Sequence, residues 1–337
     1  MENLNSNKLG ICIPTYNRDK CLDKCLDSVT REFRKFNFPI YVSDNGSNDK
    51  TESIVKSYKQ KFSNITYHKN PINLGLYKNI INVVKMATTE YIWLLGDDDA
   101  ILENTVDLLV SMLDKGYDYV VLNSIPYDTN LYKAKAEKII DCNENVQYYK
   151  GKSDSLFVDL GKMAYHGFMS SMVVKTRMLH DLIPKYNDSS FLLYDNIWLP
   201  LAIFYEAIFG KHGVFLCKPT VMQRDNVRVS EKADWDYHYL DRIKAIKYLC
   251  TKGYDLRTMR SSRDLGIVAT VFVAILSKRS NRALKLFNNF VKNEKFFPFY
   301  IKLLILFIDL MPETVITTLD SIVNKIRNRD KSSTFAD

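Results

Sequence analysis

No run of about 18 uncharged apolar residues occurs anywhere in the sequence, so no segment reads as a membrane-spanning helix. Residues 1–8, Met-Glu-Asn-Leu-Asn-Ser-Asn-Lys, lack the basic-then-apolar order of a signal peptide. Six cysteines, at 12, 21, 25, 142, 217 and 250, form neither a Cys-x-x-Cys pair nor a Cys/His zinc pattern. The set fits a reducing compartment, and Cys21 and Cys25, one turn apart on a predicted helix, read as packing. The expectation is a cytoplasmic protein. Neither Gly-x-Gly-x-x-Gly nor Gly-x-x-x-x-Gly-Lys-Ser/Thr is present, which disfavours a dinucleotide fold and a P-loop. Net charge is +8, yet no arginine-rich tract or nucleic-acid motif accompanies it. The charge therefore reads as attraction to anionic substrates or an anionic membrane surface, not to nucleic acid.

What is present is enough apolar residue, 46% against 26% charged, to fill the core of one large domain or two smaller ones. Leu9–Ile13 reads as a strand, broken by Pro14-Thr15-Tyr16-Asn17-Arg18. Residues 19–36 carry Leu22, Leu26, Val29 and Phe33 at helical spacing. Pro39–Ser43 is a second strand, ending in the turn-rich Asp44-Asn45-Gly46-Ser47-Asn48-Asp49. A helix to about Phe62, a strand at Ile65–His68, a loop through Asn73 and Gly75, and a helix at Tyr77–Met86 follow. This alternation predicts an α/β fold with a mostly parallel sheet and right-handed crossovers. The polar loops that end its strands then fall along one sheet edge.

Tyr91–Leu95 is an unbroken apolar run that predicts a strand buried on both faces. Gly96 ends it, and Asp97, Asp98 and Asp99 follow at once. Three adjacent carboxylates are tolerated cheaply only where solvent, donors or a cation compensates them. A strand's carboxyl end in an open α/β sheet is also where ligands bind. A hard divalent cation with substrate phosphates meets both conditions. A solvated acidic turn capping a helix at Leu102–Lys115 is the competing reading.

A strand at Tyr117–Leu122 precedes an irregular stretch to residue 150. Phe168–Val174 and Gly213–Met222 read as strands, and Phe191–Phe209 as an apolar helix holding one acid, Asp195. That carboxylate, flanked by aromatic and apolar residues, is the candidate general base; His166 is the alternative, and a helix cap or a pair with Arg224 or Arg228 is the inert reading. From Asp234 the pattern is helical. Phe296–Met311 is almost wholly apolar, and the helix after Pro312 is amphipathic and runs into Lys325, Arg327, Arg329 and Lys331. Such a tail suits a bilayer interface, or else packs on the body or on a second subunit.

Ile13-Pro14-Thr15-Tyr16-Asn17-Arg18, Ser43-Asp44-Asn45-Gly46-Ser47-Asn48-Asp49, Asn73-Leu74-Gly75 and Leu95-Gly96-Asp97-Asp98-Asp99, in that order, resemble a family-2 glycosyltransferase of the GT-A fold. The likeness is strongest over residues 8–123 and is closest to bacterial transferases of O-antigen, capsule or lipooligosaccharide assembly. It implies a nucleotide-sugar-binding half (1–123) and an acceptor-binding half (124–233); the helical C-terminal region (234–337), read from its own pattern as a membrane-surface or oligomerisation element, lies outside the likeness. It also implies transfer of a sugar from a nucleotide diphosphate donor, a UDP-sugar by default, to a hydroxyl of a glycan or lipid-linked glycan, with inversion. By the same likeness Pro14, Thr15 and Tyr16 line the base pocket, Asp44 bonds the base, and Arg18, Asn73 and Gly75 belong to the donor site. Asp97 reaches the ribose, and Asp98 or Asp99 holds Mg²⁺ or Mn²⁺. Lys78-Asn79 stands where many members carry Arg-Asn; Lys78 is a point charge without the fork of arginine, which leaves cytidine, thymidine and guanosine donors open. A nucleotidyltransferase would need a glycine- and lysine-rich phosphate loop, and Pro14–Arg18 has no glycine. A non-catalytic scaffold that keeps only the fold is the alternative from another class.

Overall fold

The computed structural model describes residues 6–149, 155–156, 168–186, 198–224 and 235–255, with a few isolated positions beyond. The first half follows the predicted alternation: β1 (Leu9–Thr15), α1 (Asp19–Phe33), β2 (Ile40–Asp44), α2 (Thr51–Lys61), β3 (Ile65–Lys69), α3 (Leu76–Met86) and β4 (Tyr91–Leu94). Strands β3, β2, β1 and β4 lie side by side and parallel. Leu22, Leu26, Val29 and Phe33 of α1 are fully buried, together with Ile11, Ile13 and Trp93 from one sheet face. Cys12, Ile92 and Leu94 point to the other face, against Ile80, Ile81 and Val84 of α3. Both faces are therefore covered, which is why these strands read as continuous apolar runs.

Beyond β4 the chain departs from the reading. It forms β5 (Ala100–Ile101), α4 (Thr105–Leu113), β6 (Tyr119–Tyr127), β7 (Val146–Tyr148), β8 (Met172–Lys175), the short helices α5 (Thr176–His180) and α6 (Ile183–Tyr186), α7 (Leu199–Ile208), β9 (Gly213–Arg224) and α8 (Trp235–Cys250). The described strands make one sheet in the order β3-β2-β1-β4-β8-β6-β9-β5, with β7 on β9. The expected helix-flanked central sheet is present, parallel through β3-β2-β1-β4 and of mixed direction beyond β4. Pairs β4–β8, β6–β8, β5–β9 and β7–β9 are antiparallel, against parallel β1–β2, β1–β4, β2–β3 and β6–β9. The reason is that β8 inserts between β4 and β6, so strands distant in sequence replace the local crossover. β6 runs through residues 123 and 124, so both halves read from the sequence share this sheet.

The helix after the carboxylates starts at Thr105 and not at Leu102, because β5 comes first. The acidic residues thus sit in a strand-to-strand turn and are not the caps of that helix. The cysteine reading is also corrected at one pair: Cys142 and Cys217 form a disulfide, while Cys12, Cys21, Cys25 and Cys250 are free thiols. The partners are 75 residues apart and are brought together by the packing of the 128–145 segment on β9. Asp195, His166, Arg228 and nearly all of the 296–331 tail lie outside the described residues. No helix among the described residues is long and apolar enough to cross a membrane.

Candidate active site at the carboxyl edge of the sheet

The ends of β1, β2 and β4 meet because the three strands are in parallel register, with Pro14 opposite Ser43 and Thr15 opposite Asp44. A polar core fastens them. Buried Asn79, in the first turn of α3, donates from Nδ2 to the carbonyls of Ser43 (2.9 Å) and Thr15 (3.3 Å). Its Oδ1 accepts from Ser43 Oγ (2.7 Å) and Asn70 Nδ2 (3.1 Å). Asn45 Nδ2 donates to Asn73 Oδ1 (2.7 Å) and the Gly75 carbonyl (3.2 Å), and the Leu74 N–H donates back to Asn45 Oδ1 (2.9 Å). Gly75 has φ +86°, a left-handed value that favours glycine and lets the loop turn into α3. Asn17 closes the first loop on the second: its N–H donates to Ser47 Oγ and its Oδ1 accepts the Asn48 N–H, both at 2.9 Å.

Asp44, fully buried at the end of β2, accepts the Ser47 N–H at Oδ1 (2.8 Å) and the Tyr67 hydroxyl at Oδ2 (2.6 Å). Burial, and then this bond to Asp44, push the Tyr67 hydroxyl well above the usual range. Pro14 and Thr15 are buried, Tyr16 is half-buried, and Lys78 is half-buried with Nζ 5.9 Å from the Tyr77 ring centre.

The three carboxylates divide their work. Asp97 is buried; its Oδ2 accepts from Thr15 Oγ1 (2.8 Å) and its Oδ1 from Arg18 Nη1 (3.0 Å). Asp98 is half-buried, and its Oδ2 accepts from the same Arg18 nitrogen at 2.8 Å. Asp99 is buried, with Oδ2 accepting from Ser170 Oγ (2.6 Å) and Oδ1 from the Arg224 N–H (2.9 Å). Burial raises the carboxyl groups of Asp97 and Asp99, and the charge of Asp98 raises both further. Arg18 and Thr15 oppose that rise at Asp97, and Ser170 and the Arg224 N–H oppose it at Asp99. Arg224 Nε donates to the Asp98 carbonyl and Nη1 to that of Thr129. A Cβ on Gly96 would stand 3.0 Å from Asp98 Oδ1 and 3.2 Å from Asp99 Oδ2, so a larger residue would have to push these carboxylates aside by a few tenths of an ångström. The donor set is all oxygen, the chemistry a hard divalent cation takes. Both Asp99 oxygens are engaged by protein donors, whereas Asp98 is the carboxylate that reaches solvent.

The structure therefore brings Pro14, Thr15, Tyr16, Arg18, Asp44, Asn73, Gly75, Lys78, Asp97, Asp98 and Asp99 to one edge. Asn45, Tyr67, Asn70, Asn79, Ser170 and Arg224 were missed as site residues. Asn79 and Asn45 lay within or beside the singled-out motifs, so polar residues next to strand ends were a usable signal. Ser170 and Arg224 carried none, since only the β4–β8 and β5–β9 pairings bring them in. A cleft of about 580 Å³ lined by Thr89, Lys175, Arg177 and His180 lies at the opposite end of β4 and contains no predicted site residue.

The profile of glycosyl transferase family 2 matches residues 10–175. An abequosyltransferase of Salmonella typhimurium is 35% identical over 113 residues, 33% of this chain and 34% of its own length. This chain thus spans only about a third of that relative. A glucosyltransferase of Campylobacter jejuni, named for GalNAc(5)-diNAcBac-PP-undecaprenol, is 25% identical over 244 residues, 72% of this chain and 74% of its own length. Among solved structures, residues 1–349 of Staphylococcus aureus TarS in complex with UDP-GlcNAc superpose with a TM-score of 0.62. That match covers 95% of this chain and 92% of the other at 16% identity, a likeness of fold alone.

Proposed function

We propose that this chain is a member of glycosyl transferase family 2, whose profile matches residues 10–175, and that it moves a sugar from a nucleoside diphosphate donor to a hydroxyl of a glycan acceptor. The observation that carries this reading is the joining of three strand-end loops: the first is bonded to Asp97 and Asp98 through Thr15 and Arg18, and to the second through Asn17. A UDP-sugar is the first donor to test, because the TarS structure of similar fold holds UDP-GlcNAc. A lipid-linked acceptor is supported by the undecaprenol-linked substrate in the name of the Campylobacter relative. The basic amphipathic tail supports a place at the inner face of the cytoplasmic membrane.

In this reading Pro14, Thr15 and Tyr16 wall the base, and Asp44 accepts its N–H while Tyr67 keeps the carboxylate oriented. Asn45, Asn73 and Gly75 hold the loop beside it, and Lys78 faces the phosphates as a point charge. Asp97, fixed by Thr15, bonds the ribose. Asp98 would hold Mg²⁺ or Mn²⁺ against the diphosphate, with Asp99 bracing the turn through Ser170 and Arg224. A divalent cation bound there supplies Lewis-acid stabilisation of the charge left on the departing nucleotide. Asp195 takes the proton from the acceptor hydroxyl as it attacks opposite the leaving group, which inverts the anomeric centre.

A panel of nucleotide sugars, assayed for transfer and hydrolysis with Mn²⁺, tests the activity and names the donor. Asp195→Asn is expected to cut turnover by about 10²–10⁴-fold and leave donor binding nearly intact. A loss below about tenfold, or a product that retains the donor's anomeric configuration, overturns the assignment of the base.

A further inference from the structure

Asp97 and Asp98 already have a cation between them. One nitrogen, Arg18 Nη1, bonds Asp97 Oδ1 at 3.0 Å and Asp98 Oδ2 at 2.8 Å. The second Asp98 oxygen, Oδ1, lies close to Gly96, where a Cβ would stand 3.0 Å from it. A metal ion on Oδ2 would meet the guanidinium that already bonds that oxygen. Two cations on one carboxylate oxygen repel each other, and the repulsion is screened poorly where Asp97 and Arg18 have side chains only 7% and 19% exposed. Arg224, the other guanidinium nearby, is tied to the backbone through Nε and Nη1, and its backbone N–H holds Asp99; its buried Nη2 has no hydrogen-bond partner among the described residues.

We propose that Arg18 is an exchangeable counter-ion. In the donor-free protein it closes the Asp97–Asp98 pair against a divalent cation, and in the loaded protein it gives up Asp98 and neutralises the donor's diphosphate instead. The inference rests on the reading of Asp98 as the metal ligand. It makes a donor phosphate and the cation cooperative through Arg18: the phosphate draws the guanidinium away and frees the oxygen, and by linkage the cation favours the phosphate equally.

The test measures Mn²⁺ binding by electron paramagnetic resonance, with no nucleotide and then with UDP, CDP, GDP and dTDP. Wild type is expected to bind Mn²⁺ weakly alone and more tightly with its cognate nucleotide. Arg18→Gln is expected to bind Mn²⁺ alone about fivefold or more tightly than wild type, the lower end of ordinary site coupling, and to lose most of the nucleotide's effect. Arg18→Lys, which keeps the charge, should resemble wild type without nucleotide; this arm stands if Arg18→Gln fails to fold. Unchanged or weaker nucleotide-free Mn²⁺ binding in Arg18→Gln, with wild type still taking up Mn²⁺ beside a nucleotide, overturns the exchange and leaves the metal reading intact. So does tight nucleotide-free binding in Arg18→Lys. Wild type that takes up no Mn²⁺ with any of the four nucleotides overturns both.

Discussion

Among the three adjacent acids, side-chain partners rather than spacing decide the roles. Asp98 has a side chain 24% exposed, so its loss should not disturb the core. Asp98→Ala is expected to abolish metal-dependent transfer, a fall of about 10²–10³-fold or more in turnover as for other lost charge stabilisers, with an unchanged circular dichroism spectrum. Full activity of that variant, or of wild type in EDTA, would remove the metal from the mechanism. Tyr67 is the second residue whose effect can be isolated. Tyr67→Phe removes the one side-chain donor to fully buried Asp44 and leaves Oδ2 unpaired. Urea unfolding should report a loss of about 1–3 kcal/mol, the usual cost of an orphaned buried acceptor. Nucleotide affinity should fall as well, since the freed carboxylate is no longer oriented.

At the level of elements, one asparagine and one glutamate join pieces that hydrophobic packing alone would leave loosely registered. Asn79 of α3 bonds carbonyls of both β1 and β2, so Asn79→Ala should weaken nucleotide binding more than Asn82→Ala, whose amide reaches only Asn70. Glu206 of α7 does the same work among helices. It accepts from Lys185 at 2.8 Å and Tyr186 of α6, from Tyr248 of α8 at 2.6 Å, and from Lys252 at 3.1 Å. Burial pushes its carboxyl up, but the bonds from Lys185, Tyr186 and Lys252 outweigh burial and hold it below the ordinary value of 4.5. A depressed folded value means stability that is fully present above 4.5 and lost as the pH falls through it. The urea midpoint of wild type should therefore exceed that of Glu206→Gln at pH 7, and the gap should close in acid below pH 4.5. A gap that does not change with pH would show that the cluster contributes packing and not charge.

For the molecule as a whole, the sheet edge and the tail pose separate questions. In the proposed function the edge presents strand-end loops to a nucleotide. The tail, read from sequence as an apolar stretch before a basic amphipathic helix, is expected to bring the acceptor's membrane to it. Full-length protein should co-sediment with anionic liposomes at low salt and release as salt rises, and truncation near Glu294 should abolish binding. Failure of the intact protein to bind would make the tail a packing or dimer element.

The sequence by itself determined the first four strands, the helices between them, the α1 stripe of Leu22, Leu26, Val29 and Phe33, and the gathering of three polar loops on one edge. Each of these follows from local periodicity and from parallel pairing of neighbours, which short crossovers enforce. It also marked the acidic turn, because charge after a buried apolar run is visible in any reading. Only the tertiary structure decided which partners each acid takes. Antiparallel β8 carries Ser170 to Asp99, and the two-residue pairing of β5 with β9 carries Arg224 across 125 positions to the same carboxylate. The Cys142–Cys217 bond was decided the same way, by 75 residues of intervening chain. Pairings of that separation depend on which edges remain open after the local units have formed, and no spacing in the chain encodes that choice.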